Sequence, residues 1–375
     1  MTTWVSGARP APPPTGGAPR RGLVLGGGGM LGAAWTIGAL CAVEEATGRP
    51  AGDVEVLLGT SAGAILGALL AAGVGADQLR DHQRGLPITS GPLAGVDFDY
   101  DTAVGGALPP RPRAGIGSPR LLRDAVRHPR EYPLLTMVSA MAPHGRGSLE
   151  PVGALVSGLF DGAVLAGDGQ PDEDGPDGER PDGGRAAGSA LRVVAVDYRS
   201  GHRVVFGDLG APPARVDEAV TASCAIPGWF APVRVGGADY VDGGCWSATN
   251  ADLLLDRGLD EVYVLAPMAL RRDPPGRSEP GAGASGSTRA RRRRDLPRGV
   301  LAQLVGRYRR AVTRQLLREA GLLRASGVRV HLLAPTPADL AVMGPNMMDP
   351  ARRGPVLESA LETCRRALET PAEPR

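Results

Sequence analysis

Twice between residues 22 and 76, a short apolar strand runs through a glycine turn straight into an apolar helix. In the first unit residues 23–25 are the strand and Gly26-Gly27-Gly28-Gly29-Met30-Leu31-Gly32 the turn. Its helix runs to about Thr47 and is ended by Gly48. In the second unit residues 54–58 are the strand and Gly59-Thr60-Ser61-Ala62-Gly63 the turn. Its helix, 62–72, is apolar on every side and therefore buried, with Gly73 placed to close it. Residues 22–43 and 56–76 carry no charge at all, and each is long enough to span a bilayer. A glycine turn in hydrocarbon would leave backbone groups unpaired, so buried strand–turn–helix units are expected instead of membrane spans. The fold class that follows is α/β, three-layered, with a mostly parallel central sheet and helices on both faces.

The rest of the chain can be parsed around that nucleus. Residues 1–20 are rich in Pro, Gly and Ala and read as a disordered tail; they lack the basic and apolar segments of a signal peptide. The main domain is expected over 21–270, with a Pro-broken insertion at 85–150 holding helical pieces at 118–127 and 134–141. A low-complexity acidic loop is expected at 161–188. Strands follow at 191–196 and 202–206, then a helix at 215–224, a hairpin of 233–235 and 239–241 around Gly236-Gly237, and a buried strand at 261–266. An Arg-rich loop at 271–298 contains the run 291–294. A helix (299–325), a strand (328–333) and a last helix (349–368) complete the same domain over 299–375. The helix at 299–325 sets Leu301, Leu304, Val305, Tyr308, Val312 and Leu316 on one stripe and Arg307, Arg310, Arg314 and Arg318 on another. That pattern suits either docking on anionic lipid headgroups or an amphipathic helix covering the sheet with a solvated face.

Composition removes several function classes. The net charge is +2, from 42 basic and 40 acidic residues, which argues against a nucleic-acid partner. Aromatics are only 4%, so the core must rest on Ala, Val and Leu. The four cysteines, Cys41, Cys224, Cys245 and Cys364, are dispersed with no CxxC pair; they read as isolated thiols of a reducing cytoplasm, and no metal or organic cofactor is expected. The expected location is cytoplasmic, with peripheral membrane contact.

Three motifs carry chemistry. Ser61 sits between Gly59 and Gly63 in a strand-to-helix turn, where a sharp bend lifts a hydroxyl above the sheet at a helix N-terminus. The alternative is a helix-capping serine. The glycine run can turn backbone N–H groups toward an oxyanion. Gly27, Gly29 and Gly32 also spell a dinucleotide loop, which wants an acidic residue about 20 positions on at the end of the next strand; Asp53 lies near that distance but before its strand. Asp242-Gly243-Gly244 follows the hairpin, as a base or as a turn aspartate. The five histidines are His82, His128, His144, His202 and His331. The order Ser61, Asp242, His331 fits an α/β-hydrolase triad, but His331 falls inside an apolar strand. Without a histidine, a carboxylate must take the serine proton directly.

These residues together resemble the patatin-like phospholipases, which use a Ser–Asp dyad. The resemblance covers roughly residues 21–256 and rests on Gly27 to Gly32, on Gly59 to Gly63, on Asp242-Gly243-Gly244, and on the approach Ala222-Ser223-Cys224-Ala225-Ile226-Pro227-Gly228-Trp229-Phe230. It implies Ser61 as nucleophile, Asp242 as proton acceptor, and Gly27, Gly28 and Gly29 with the Ala62 N–H as oxyanion hole. The implied substrate is a lipid acyl ester, by hydrolysis or by transfer to an alcohol. Many members carry Arg or Lys where this chain has Leu31. A catalytically weak binding or scaffold protein is the competing reading.

Overall fold

The computed structural model describes residues 18–96, 98, 108–165, 190–271 and 300–369, with side chains from residue 303 onward in the last segment. The tail, the acidic loop and the Arg-rich loop expected from the sequence lie almost wholly outside these residues. The elements are β1 (Arg21–Leu25), α1 (Gly29–Thr47), β2 (Val56–Thr60), α2 (Ala62–Ala71), α3 (Ala76–Gln83), α4 (Pro119–Arg127), α5 (Leu134–Met141), α6 (Glu150–Phe160), β3 (Val164–Leu165), β4 (Leu191–Asp197), β5 (Arg203–Phe206), β6 (Ala214–Arg215), α7 (Val216–Cys224), β7 (Val233–Val235), β8 (Ala238–Asp242), β9 (Glu261–Leu265), α8 (Val300–Ala325), β10 (Arg329–Leu333), α9 (Pro337–Met343) and α10 (Arg353–Glu369). Three helices escape the sequence analysis: α3 is short and polar, with Leu79 its one buried large apolar side chain, α6 is interrupted by Gly153 and Gly158, and α9 has only seven residues. Residues 164–165, assigned to the acidic loop, instead pair with β6 as β3.

The sheet runs β10-β9-β1-β2-β4-β8-β7, with β5 also on β4. β10, β9, β1, β2 and β4 are parallel, and β5, β7 and β8 are antiparallel to their neighbours. Alternate residues of each strand face opposite layers. Leu23, Leu25, Leu57, Val193 and Ala195 join the core beneath α1, α2, α7 and α10. Val24, Val56, Leu58, Val194, Val262 and Val264 join the core on the other face, which α8 covers with Val312, Leu316 and Leu323. The strands are therefore buried on both sides, as a parallel sheet requires. No helix among the described residues is long and apolar enough to cross a membrane.

One detail of register positions everything that follows. Residues 193–196 of β4 pair with β5 along one flank. Along the other flank β4 pairs first with parallel β2, ending at Val194↔Thr60, and then with antiparallel β8, beginning at Ala195↔Asp242. Two strands of opposite direction thus share one edge of β4, and their C-terminal ends meet head to head.

Candidate active site

Ser61 is the residue immediately after Thr60, between β2 and α2. Its backbone lies at φ 54°, ψ −125°, a conformation that an L-residue adopts only when its surroundings enforce it. The enforcement is visible. A Cβ on Gly63 would fall 2.0 Å from the Leu25 carbonyl oxygen, and one on Gly59 would fall 2.6 Å from the Ala64 Cα. The glycines of the motif let strand and helix approach to distances no side chain permits. The Ser61 N–H donates to Ser223 Oγ at 2.8 Å, and that hydroxyl donates to the Val194 carbonyl at 2.6 Å. Ser223 of α7 therefore ties the turn to the seam in β4. Thr60 is held in turn by the Asn250 amide, which donates to its Oγ1 at 3.1 Å.

Asp242 ends β8 at the same seam. Its N–H donates to Ala225 O at 3.0 Å, and its Oδ1 accepts from the Gly244 N–H at 2.7 Å. A Cβ on Gly243 would sit 2.4 Å from Val194 O, so this turn also needs its glycine. The carboxylate is buried, and among the described residues it forms no ion pair. Burial raises its pKa to about 6, against the lowering effect of hydrogen bonds from Ser61 and Gly244.

The glycine turn lines the same cavity as Ser61 and Asp242. Its N–H groups are not equivalent. Gly26 donates to Leu265 O at 2.9 Å, and Gly27 to Ala248 O at 2.8 Å. The N–H of Gly27 is thus engaged, and Gly27 leaves the set of donors expected from the sequence. Gly28, Gly29 and Ala62 have N–H groups with no acceptor among the described residues. Gly29, at φ 61°, opens α1, and Ala62 opens α2, so both lie at positive helix ends. Gly32 packs against Pro267 instead of facing the cavity.

Leu31 is fully buried in the core, and its N–H donates to Met347 O at 2.9 Å. A buried arginine packs behind the glycine turn and escapes sequence reading. Arg309 of α8 is buried, donating to Pro267 O at 2.9 Å and reaching Met347 Sδ at 3.1 Å. Pro267 and Met347 are the residues against which the glycine turn rests. Burial pulls this guanidinium down to about 10. Its apolar neighbours in the helical pattern, Val305, Tyr308 and Val312, would have flagged the position only as an arginine interrupting an inward face.

The remaining candidates separate. His331 lies on β10, three strands from β2, which at about 4.8 Å per strand is roughly 14 Å away. Its ring stacks on Tyr263 with centroids 4.4 Å apart, and its Nε2 is 3.7 Å from Glu261. It cannot complete a triad with Ser61. Asp53 precedes β2, at the opposite end of the sheet from the glycine turn, and pairs with Arg49 at 2.5 Å, so the dinucleotide reading loses its ribose partner. All four cysteines are free, and no cluster among the described residues could hold a metal. On α8, Arg307, Arg310, Arg314 and Arg318 are exposed while the opposite face packs on the sheet.

Two cavities meet at Ser61. One, of about 100 Å³, runs between α1, α2 and α6 and is walled by Ile37, Leu66, Leu69, Val152 and Leu155. The other, of about 560 Å³, opens over Asp242 between α5 and α8. Gly29, Ser61, Ile226 and Met348 belong to both. A hydroxyl beside a desolvated carboxylate, with unpaired N–H donors at the junction of two apolar spaces, is an arrangement that can transfer an acyl group.

A family model described as patatin-like phospholipase matches residues 23–255, and the chain belongs to that family. Membership implies lipid acyl-hydrolase activity and a lipid substrate. No curated protein matches the chain. Among solved structures it is similar to the crystal structure of VipD from Legionella pneumophila, at 16% identity and a TM-score of 0.39, over 94% of this chain and 67% of that one. A likeness at that level carries no functional argument.

Proposed function

We propose that the protein hydrolyses a carboxylic ester of a lipid through an acyl-Ser61 intermediate, with Asp242 as the only proton-transferring side chain. The observation that carries this is the head-to-head meeting of β2 and β8 on β4, which sets Ser61, the residue after Thr60, near Asp242 on the wall of one cavity. Asp242 accepts the hydroxyl proton as Oγ adds to the ester carbonyl. The oxyanion that forms is received by the N–H groups of Gly28, Gly29 and Ala62. When the C–O bond breaks, the leaving alkoxide takes the proton from Asp242. Water then adds to the acyl group while giving a proton to Asp242, and Ser61 recovers that proton as the fatty acid departs. The carboxylate is a weak base in water, and burial with no counter-ion among the described residues raises its pKa to about 6. The narrow apolar cavity suits the acyl chain and the wide one the leaving group.

Labelling with a fluorophosphonate probe tests the reading. The wild type and His331→Ala label, whereas Ser61→Ala and Asp242→Asn do not. Labelling that survives Asp242→Asn but is lost in His331→Ala overturns the dyad. A wild type that neither labels nor turns over p-nitrophenyl esters favours the scaffold reading.

A further inference from the structure

The insertion between α3 and α6 carries a chemistry that the hydrolytic reading does not use. Residues 108–146 hold seven arginines against two acids, a net charge of +5 in a chain whose total is +2. Arg120, Arg123, Arg127 and Arg130 are all exposed, and none forms an ion pair among the described residues. On the adjoining helix α5, Leu134, Val138 and Met141 are 76%, 47% and 53% exposed. Their spacing of four and three residues puts them on one stripe. The same helix lines the wide cavity with Leu135, Val138 and Ser139. Val138 belongs to both surfaces, so the exposed apolar stripe is continuous with the mouth above Ser61.

From this we infer that the α4–α5 hairpin is the face by which the protein docks on an anionic lipid bilayer. The apolar stripe enters the acyl-chain boundary and the arginines engage lipid headgroups. The inference rests on the proposed lipid-ester reading for its occupant. Three things argue for a membrane: the unpaired cations, the apolar stripe among them, and the continuity of that stripe with a cavity that a lipid must enter. Across the mouth, Val305 of α8 lines the cavity, and Arg307 beside it is exposed. The arginine stripe of α8 runs away from there: Arg318 is thirteen residues beyond Val305, about 20 Å along the helix. Only the mouth end of that stripe can join the docking face.

Sedimentation with sucrose-loaded vesicles of phosphatidylcholine, with and without phosphatidylglycerol, tests this on the full chain. The wild type binds the anionic vesicles more tightly. Leu134→Ser/Met141→Ser, which leaves the cavity wall intact, weakens binding to anionic vesicles about tenfold or more. The Gln replacement of Arg120, Arg123, Arg127 and Arg130 removes the preference for anionic over neutral vesicles. Arg314→Gln/Arg318→Gln binds as wild type. All three variants turn over a short soluble p-nitrophenyl ester at the wild-type rate. The inference fails if the wild type ignores both vesicles, if only the Arg314/Arg318 variant loses binding, or if the stripe variants bind unchanged. It also fails if Leu134→Ser/Met141→Ser abolishes a concentration-dependent dimer in sedimentation velocity, which would assign the face to a second copy of the chain. An inactive wild type on the soluble ester that still binds vesicles refutes the hydrolytic reading and leaves the docking face standing.

Discussion

Two carboxylates near opposite ends of this sheet are equally buried and differently provided for. Asp242 is 5% exposed and Glu261 is 4% exposed. Glu261, at the start of β9, has the Arg21 Nε at 2.5 Å, an Arg329 nitrogen at 3.3 Å and the His331 Nε2 at 3.7 Å. Asp242, at the end of β8, has among the described residues only a backbone N–H and a serine hydroxyl. Burial with counter-ions makes a structural charge. Burial without them makes a base, because the protonated form gains and the carboxylate holds its proton to a higher pH. The lesson is that burial alone does not mark a functional acid; the absence of a partner does.

The comparison can be broken most sharply in activity. Ser61→Ala and Asp242→Asn are each expected to lower ester turnover about 10⁴-fold or more, while Glu261→Gln and His331→Ala leave it within about threefold. Steady-state rates on a soluble ester decide this, and comparable losses at both ends would erase the distinction.

Stability should move in opposite directions. Asp242 titrates at about 6 in the fold against 3.8 unfolded, so its ionisation destabilises the fold, fully above pH 6 and not at all below the unfolded value. Asp242→Asn should therefore stabilise the protein by up to about 3 kcal/mol near pH 8, a gain that fades as pH falls through 6 toward 4. Glu261→Gln removes the counter-charge of Arg21 and Arg329 and should destabilise by about 2 kcal/mol. Urea melts across that pH range measure both signs.

The rate profile should show the same carboxylate. With Asp242 as base, kcat/KM is expected to fall tenfold per pH unit below an inflection near 6. An inflection that shifts in His331→Ala would transfer the role away from Asp242. The smallest expected effect belongs to Arg309. Replacing it by Met frees Pro267 and Met347 and should lower kcat about tenfold through a looser glycine turn, leaving the acid inflection in place. Recovery in Arg309→Lys, seen in kcat rather than KM, checks the role.

Much of the site was legible in the chain because its parts are local. A strand, two glycines around Ser61 and a helix specify a turn by sterics alone, and Gly236-Gly237 at φ 53° and 87° specify the hairpin before Asp242. What was misread depended on distant partners. Gly27 looked like a free donor, yet its N–H is taken by Ala248, more than 200 residues later. Leu31 gives no hint that a buried arginine from α8 holds Pro267, on which the glycine turn rests. α3 lacks a periodic apolar face and owes its place to packing around the cavity, whereas α6 carries Val152, Leu155, Val156 and Phe160 at helical spacing between its glycines.

The amino-acid sequence alone dictated that two strand–turn–helix units would form and that Ser61 would be lifted into a strained bend. Those outcomes follow from glycine sterics and apolar periodicity over a few residues. Only the tertiary structure decided which carboxylate meets that serine. Asp242 lies beside it because β2 and β8 abut on one flank of β4, and its raised pKa comes from a burial that no charge among the described residues relieves.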